Sequence, residues 1–354
     1  MKPPQSAKSR QAGVREGPEP IQFLPAHSQN SGGVSMSLIF KTIRQTAAAT
    51  ILFTATGMAA QAQDIVMATG QQGGSWYPVG GAIKAIMERE NPDMNITVMP
   101  GAGVSNVVGV DAGRFGIAFA NSISTVDSMS GKEPFRKATT NVCNLGILYP
   151  QYFQIVALAD SGIETVADMK GKRLTTQQLG NTGEFLTREL LSTAGMTFDD
   201  LSSVANTSYS DSASQMKDGQ ADFFTLGSSL PTGSVMDLAS SRKIRLIDVD
   251  EETFKYFKDK NAAFQRREVK AGAYPGIDET VHAISYDTHL VAPCDFDGEI
   301  VKSALAAIAD NNDSFAAISK SMANLTVEEM ATDIGVPFHP AAKEFYAERG
   351  VSGM

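Results

Sequence analysis

Cysteine is scarce: Cys143 and Cys294 are the only two in 354 residues. There is no C-x-x-C pair and no zinc-ligand spacing, which argues against a structural metal site. An exported protein could join the two, but they lie far apart in the sequence and nothing in it fixes their distance, so pairing stays open. Histidine is nearly as sparse, with His27, His282, His289 and His339. Neither H-E-x-x-H, nor a G-x-S-x-G elbow, nor a Walker loop is present, so the chain lacks the parts of a metalloprotease, an α/β-hydrolase or a P-loop enzyme. His339 beside Pro340 reads as a cap or a packing residue. Basic residues are outnumbered, 30 Lys and Arg against 39 Asp and Glu, for a net charge of −9. Residues 1–63 hold six basic and two acidic side chains, so the remainder carries −13. That balance disfavours nucleic acid and anionic membrane as partners. It leaves a small anionic ligand open, because local amides can outweigh a distant net charge.

Apolar runs are short as well. Thr46–Ala59 is apolar but falls below the ~20 residues a spanning helix needs. It follows a short basic segment with Lys41 and Arg44 and precedes the small-residue site Ala60-Gln61-Ala62, the three-part layout of a secretory signal peptide. We expect a start at Met36, a signal peptide over residues 36–62 and cleavage after Ala62. Residues 1–35, polar and without hydrophobic period, read as a mis-assigned or disordered extension; an N-terminal anchor is the alternative reading of the apolar run. The chain reads as exported, with no membrane insertion of its mature part.

What is abundant is glycine at strand-to-helix turns. The strand Asp64–Thr69 runs into Gly70-Gln-Gln-Gly73-Gly74-Ser75-Trp76-Tyr77-Pro78-Val-Gly80-Gly81, which opens a helix to about Arg89. Pro78 suits a first helical turn. Gly73, Gly74 and Ser75 expose amides at a helix N-terminus, a ready site for a carboxylate or phosphate. Trp76 and Tyr77 could wall an apolar surface beside it. A plain glycine turn without ligand is the bland reading. A dinucleotide fingerprint fails because the second strand, Asn95–Met99, ends in Met-Pro with no acidic residue.

Downstream, short apolar strands alternate with helical periods, which argues for a mostly parallel sheet covered on both faces. Strand Phe115–Ala120 gives way to a helix at Asn121 and Ser122, read either as caps or as a second polar wall. Two apolar strands meet at Tyr149-Pro150, and a new βα series follows. Its glycine turns are Gly180-Asn181-Thr182-Gly183 and Gly227-Ser228-Ser229. Glu251–Lys270 reads as a charged helix, and Ala283–Ala292 as a strand returning to the first lobe. Helices at 295–310, 314–322 and 326–332 and a closing helix at 340–349 complete the pattern. The expected fold is α/β and two-lobed, with residues 63–149 plus 288–354 as one lobe and 150–287 as the other. Facing helix N-termini would then line an interlobe cleft.

The chain resembles the TAXI-type solute receptors of tripartite ATP-independent periplasmic (TRAP) transporters. The resemblance rests on Thr69-Gly70 through Gly81, Pro100-Gly101-Ala-Gly103-Val-Ser-Asn106, Leu148-Tyr149-Pro150 and Val336-Pro337-Phe338-His339-Pro340, in order across residues 65–350. Weaker echoes are Asp168–Arg173, Lys217–Asp222 and Ala273–Gly276. It implies a periplasmic type II binding-protein fold, no cofactor, a small organic acid or amino acid ligand, and delivery to permease subunits driven by an ion gradient. It also implies a pocket of Gly73, Gly74, Ser75, Tyr77, Asn106, Asn121 and Ser122 from the first lobe, to which the reading of the glycine turn adds Trp76. Tyr149 would stand at the hinge, with Asn181, Thr182, Gly183, Gly227 and Ser228 from the second lobe. Two departures matter. Trp76-Tyr77 stands where the family often has Tyr-Tyr, and Asn121-Ser122 where it often has an acid. The missing acid favours a dicarboxylate or an oxo or hydroxy acid over glutamate.

Other features read as structural. Asp199-Asp200 and Glu328-Glu329 suit solvated turns or helix starts. Glu184 complements its helix dipole, and Tyr152, Phe153 and Tyr274 suit packing. An exported sensor presenting the same solute to a signalling partner would share fold and pocket, and an exported hydrolase is the third reading.

Overall fold

The computed structural model describes residues 63–323 and 325–353; the expected extension and signal peptide lie outside them. The first half opens with β1 (Gln63–Ala68), α1 (Trp76–Glu90), β2 (Met94–Met99), α2 (Gly103–Asp111), β3 (Ile117–Asn121) and α3 (Ser122–Met129). There follow β4 (Cys143–Leu158), β5 (Arg173–Thr176), α4 (Thr182–Thr193), β6 (Ser203–Asn206), α5 (Tyr209–Lys217), β7 (Phe223–Ser228), α6 (Gly233–Ala239) and β8 (Ile244–Leu246). The chain ends with α7 (Glu251–Lys260), β9 (Gln265–Val269), β10 (Val281–Ala292), α8 (Gly298–Ala309), α9 (Asn312–Ile318), α10 (Val327–Met330) and α11 (Pro340–Glu348).

The strands form one sheet in the order β2-β1-β3-β10-β4-β7-β5-β6. At either end lie three parallel strands, β2-β1-β3 and β7-β5-β6. Between them run β4 and β10, antiparallel to each other and to their neighbours. These two long strands carry the chain from one lobe to the other and back, the topology of a type II periplasmic binding protein. β8 pairs the far end of β4, and β9 pairs the start of β10.

Helices cover both faces in both lobes. Around α1, α8 and α11 a core gathers Val79, Ile83, Leu305 and Phe345 against Ile65, Met67 and Phe119. In the other lobe Leu186, Leu190 and Leu191 of α4, at helical spacing, pack with Phe257 of α7 on Phe223. Ala213 and Met216 of α5 join Val235 and Leu238 of α6 on the opposite face. Helix starts are fixed locally: Ser208 Oγ accepts from Asp211 N at 3.1 Å and Asp250 from Thr253 N at 2.7 Å. His339 caps α11, its Nδ1 accepting from Ala341 N at 3.1 Å ahead of Pro340. Cys143 and Cys294 form a disulfide across 151 residues, tying the start of β4 to the end of β10.

Three expectations are corrected. The two strands expected to meet at Tyr149-Pro150 are one, β4. Asp287 N turns from β4 to Ser122 Oγ, so the Pro150–Asp287 pair exchanges no ladder bond and the missing N–H of Pro150 costs nothing there. The helix expected over 251–270 ends at Lys260, and Gln265–Val269 forms β9, whose charged residues suit an edge strand. The helix expected at 314–322 is α9 followed by a separate 3-10 turn at Lys320–Met322.

Candidate functional site

The carboxyl ends of β1, β3, β5 and β7 point to the crevice between the lobes, where open α/β sheets place ligands. There Gly70, Gln71, Gly74, Ser75, Trp76, Gly103 and Asn121 from one lobe meet Gln177, Asn181, Thr182, Tyr209, Gly227 and Ser228 from the other, with Gln151 of β4 and Tyr286 of β10. Among these residues none is ionised, and none is a histidine. What the site does have is helix starts. Trp76, Gly103, Thr182 and Tyr209 begin α1, α2, α4 and α5, and Asn121 precedes α3. The N-cap residues of α1, α2, α3 and α4 make no side-chain cap bond. The starts of five helices therefore border a cavity without charged side chains, though Gly183 N of α4 and Asp211 N of α5 are already taken by Gln177 Oε1 and Ser208 Oγ.

The lobes are closed on one another. Asn121 Nδ2 donates to Thr182 Oγ1 at 2.7 Å, and Ser124 Oγ lies 2.9 Å from the same oxygen. Gln71 Nε2 donates to Gln178 Oε1 at 3.2 Å, and Ser228 Oγ to Ser75 Oγ at 3.3 Å. Gly74 permits this approach: a Cβ there would lie 2.9 Å from Cε2 of Tyr209. Gly103 faces Thr182 in the same way. Gly73 takes the left-handed φ of 82° that turns the loop, and its carbonyl accepts from Ser234 N at 3.4 Å. The cavity so enclosed is about 20 Å³ at water-molecule centres. That is room for little beyond a water molecule.

Three buried side-chain atoms of the lining lack a partner: Gln71 Oε1, Asn121 Oδ1 and Asn181 Nδ2. Each belongs to a residue at most 7% exposed. Buried polar atoms are normally paired, so these three are open to a water molecule or to a ligand in the cavity. Other polar groups are held by the protein. Trp76 Nε1 and Gln151 Nε2 both donate to Thr288 Oγ1, at 3.0 and 2.7 Å, leaving the indole ring as a wall that also packs on Phe119. Tyr209 donates to the Gly227 carbonyl at 2.7 Å and accepts from Gln177 Nε2. Burial raises the Tyr209 and Tyr286 hydroxyls far above the usual phenol range, so both stay protonated.

Of the residues expected in the pocket, the structure brings together Gly74, Ser75, Trp76, Asn121, Asn181, Thr182, Gly227 and Ser228. The other six lie off its lining. Gly73 sits in a side groove with Pro231 and Ile318. Tyr77 is half-buried on α1, outside the lining. Asn106 is architectural: its Nδ2 donates to the Thr69 and Phe119 carbonyls at 2.7 and 2.9 Å, and its Oδ1 accepts from Ala102 N. Ser122 accepts from Asp287 N at 3.1 Å and faces a groove on the far side. Tyr149 lines a separate groove with Pro150 and Arg267, though its hydroxyl reaches Ser75 Oγ at 3.3 Å. Gly183 N is taken by Gln177 Oε1 at 2.9 Å. Asn121 was a possible cap, but its amide bridges the lobes instead. Sequence reasoning did not single out Gln151, Gln177, Tyr209 or Tyr286. Gln177 alone carried a signal, as an amide directly after β5 and before a glycine turn.

Behind Asn121 lies a buried relay. His289 Nε2 is 2.8 Å from Thr125 Oγ1, which donates to the Asn121 carbonyl at 3.1 Å, and His289 Nδ1 is 2.9 Å from Asn144 Oδ1. Burial depresses the His289 pKa to about 3, so the imidazole is neutral.

The sequence pattern of the NMT1-like family matches residues 67–350. Among solved structures, the alkanesulfonate-binding protein of Xanthomonas axonopodis pv. citri bound to MOPS is 16% identical, with 82% of this chain and 85% of that chain covered at a TM-score of 0.45. A putative L-cystine ABC transporter from Listeria monocytogenes is 14% identical over 74% and 97% of the two chains, with a TM-score of 0.44. A periplasmic transporter is 14% identical over 81% and 94%, at 0.49.

Proposed function

We propose that this chain, which belongs to the NMT1-like family, is the solute receptor of a membrane transporter and captures a small carboxylate-bearing ligand between its lobes. One observation carries the reading: five helix starts, drawn from both lobes, border one cavity whose lining holds no ionised side chain. An anion there meets first-turn amides and positive helix ends. Ser75, Thr182 and Ser228 bring hydroxyls to the lining, but no His, Lys, Asp or Glu stands beside them there to activate one, which supports binding over catalysis.

The lobes we propose are residues 63–149 with 288–354, and 150–287, moving about β4 and β10. The stretches Thr69–Gly81, Pro100–Asn106 and Val336–Pro340 support a TRAP-type, ion-gradient-driven permease as the partner. The segment 36–62 supports export, and with it a periplasmic location. A thermal-shift screen of the purified protein against small organic acids and amino acids tests the receptor reading. A binding solute raises the melting temperature by mass action, in proportion to the logarithm of its concentration. No response to any acid, from protein shown to be free of ligand, would overturn the reading.

A further inference from the structure

Resting on the receptor reading above, we infer that the ligand is a small monocarboxylate bearing at least one neutral hydroxyl, and is neither a dicarboxylate nor an amino acid. The inference follows from the unpaired atoms and from the absence of ionised side chains in the cavity.

Charge sets the first limit. A single carboxylate is served by helix N-termini and by the unpaired Asn181 Nδ2. A second carboxylate would be enclosed with no Lys, Arg or His side chain on the lining to accompany it. Enclosing an unaccompanied charge is costly. An ammonium could donate to the two unpaired amide oxygens, but its charge would go unaccompanied. The lining carries no Asp or Glu, and the five helix ends that favour an anion oppose a cation.

Hydrogen-bond polarity sets the second limit. Gln71 spends Nε2 on Gln178, and Asn121 spends Nδ2 on Thr182, so each amide is left with an unpaired carbonyl oxygen. Carboxylate and keto oxygens only accept and cannot satisfy them. A hydroxyl donates to an amide oxygen while accepting from a backbone N–H. One hydroxyl of the hydroxy acid therefore pairs one of these two oxygens, and its oxo counterpart pairs neither.

The test is calorimetric titration of the purified protein with matched sets: lactate, pyruvate and alanine; the hydroxy, oxo and amino acids of the leucine skeleton; and malate. The hydroxy monocarboxylate of the skeleton that fits should bind about tenfold or more tightly than its oxo and amino partners and than malate. Equal or tighter binding of malate, of an oxo acid or of an amino acid overturns this inference and leaves the receptor reading standing. Binding of none of them, while another acid of the thermal-shift screen binds, overturns this inference alone; silence of the whole screen overturns both. A second measurement uses Asn121→Asp, with folding checked by its melting curve. The added carboxylate should weaken hydroxy-acid binding by about tenfold or more and shift preference towards the amino acid. An unchanged ranking in that variant removes Asn121 from ligand recognition and counts against the inference.

Discussion

Asn121 of one lobe donates through Nδ2 to Thr182 Oγ1 of the other at 2.7 Å, while its own Oδ1 remains without a partner. One side chain thus latches the closed form and presents an acceptor to whatever the lobes enclose. Thr182→Val keeps the shape and removes the hydroxyl. It should weaken ligand binding by roughly 1 kcal/mol, about fivefold, with the melting temperature of the ligand-free protein little changed. Calorimetry and a thermal melt on the same sample check both parts.

Gly74 faces Tyr209 so closely that any Cβ would collide with its ring. Gly74→Val should therefore block closure and reduce affinity at least tenfold while the protein stays folded, since each lobe keeps its own core. Near-normal affinity would show that the glycine turn does not close on Tyr209.

His289 gives a pH signature. Its pKa is about 3 in the folded protein and near 6.5 in an unfolded chain, so below pH 6.5 the unfolded state binds the extra proton. The stability that neutral His289 preserves is complete above pH 6.5 and falls as the pH drops towards 3, by roughly 1 kcal/mol per pH unit. His289→Gln should flatten that part of the curve of denaturation midpoint against pH, carboxylate titration being common to both proteins. Parallel curves would contradict the assignment.

Reduction should be felt in stability more than in binding. The Cys143–Cys294 bond closes a long loop at the ends of β4 and β10, away from the cavity. Replacing both residues by serine should cost roughly 2–5 kcal/mol in denaturant unfolding. Ligand affinity, measured where the variant is fully folded, should remain within about twofold of the parent.

The alternation of strands and helices was legible because each βα unit carries its own periodicity and glycine turn. Gly74, Ser75, Asn181 and Thr182 could be read as site residues for the same reason: their chemistry is local. Gln151, Tyr209 and Tyr286 could not. They are ordinary strand and helix-start residues: Gln151 and Tyr286 reach the cavity through the register of β4 against β10, and Tyr209 because β6, which leads into α5, lies beside β5. Tyr149-Pro150 read as a break because proline lacks a donor. Only the pairing shows that no donor is needed there. Asn106 misled in the opposite sense, since an asparagine near a glycine turn serves a ligand or the backbone equally well, and here it serves the backbone.

The most direct test of the central claim, that a small acid is enclosed by closing lobes, is small-angle scattering of the protein with and without a saturating acid identified by titration. The account predicts a smaller radius of gyration with the acid present, and no such change in Gly74→Val. Binding shown by calorimetry with no compaction of the parent protein would contradict it.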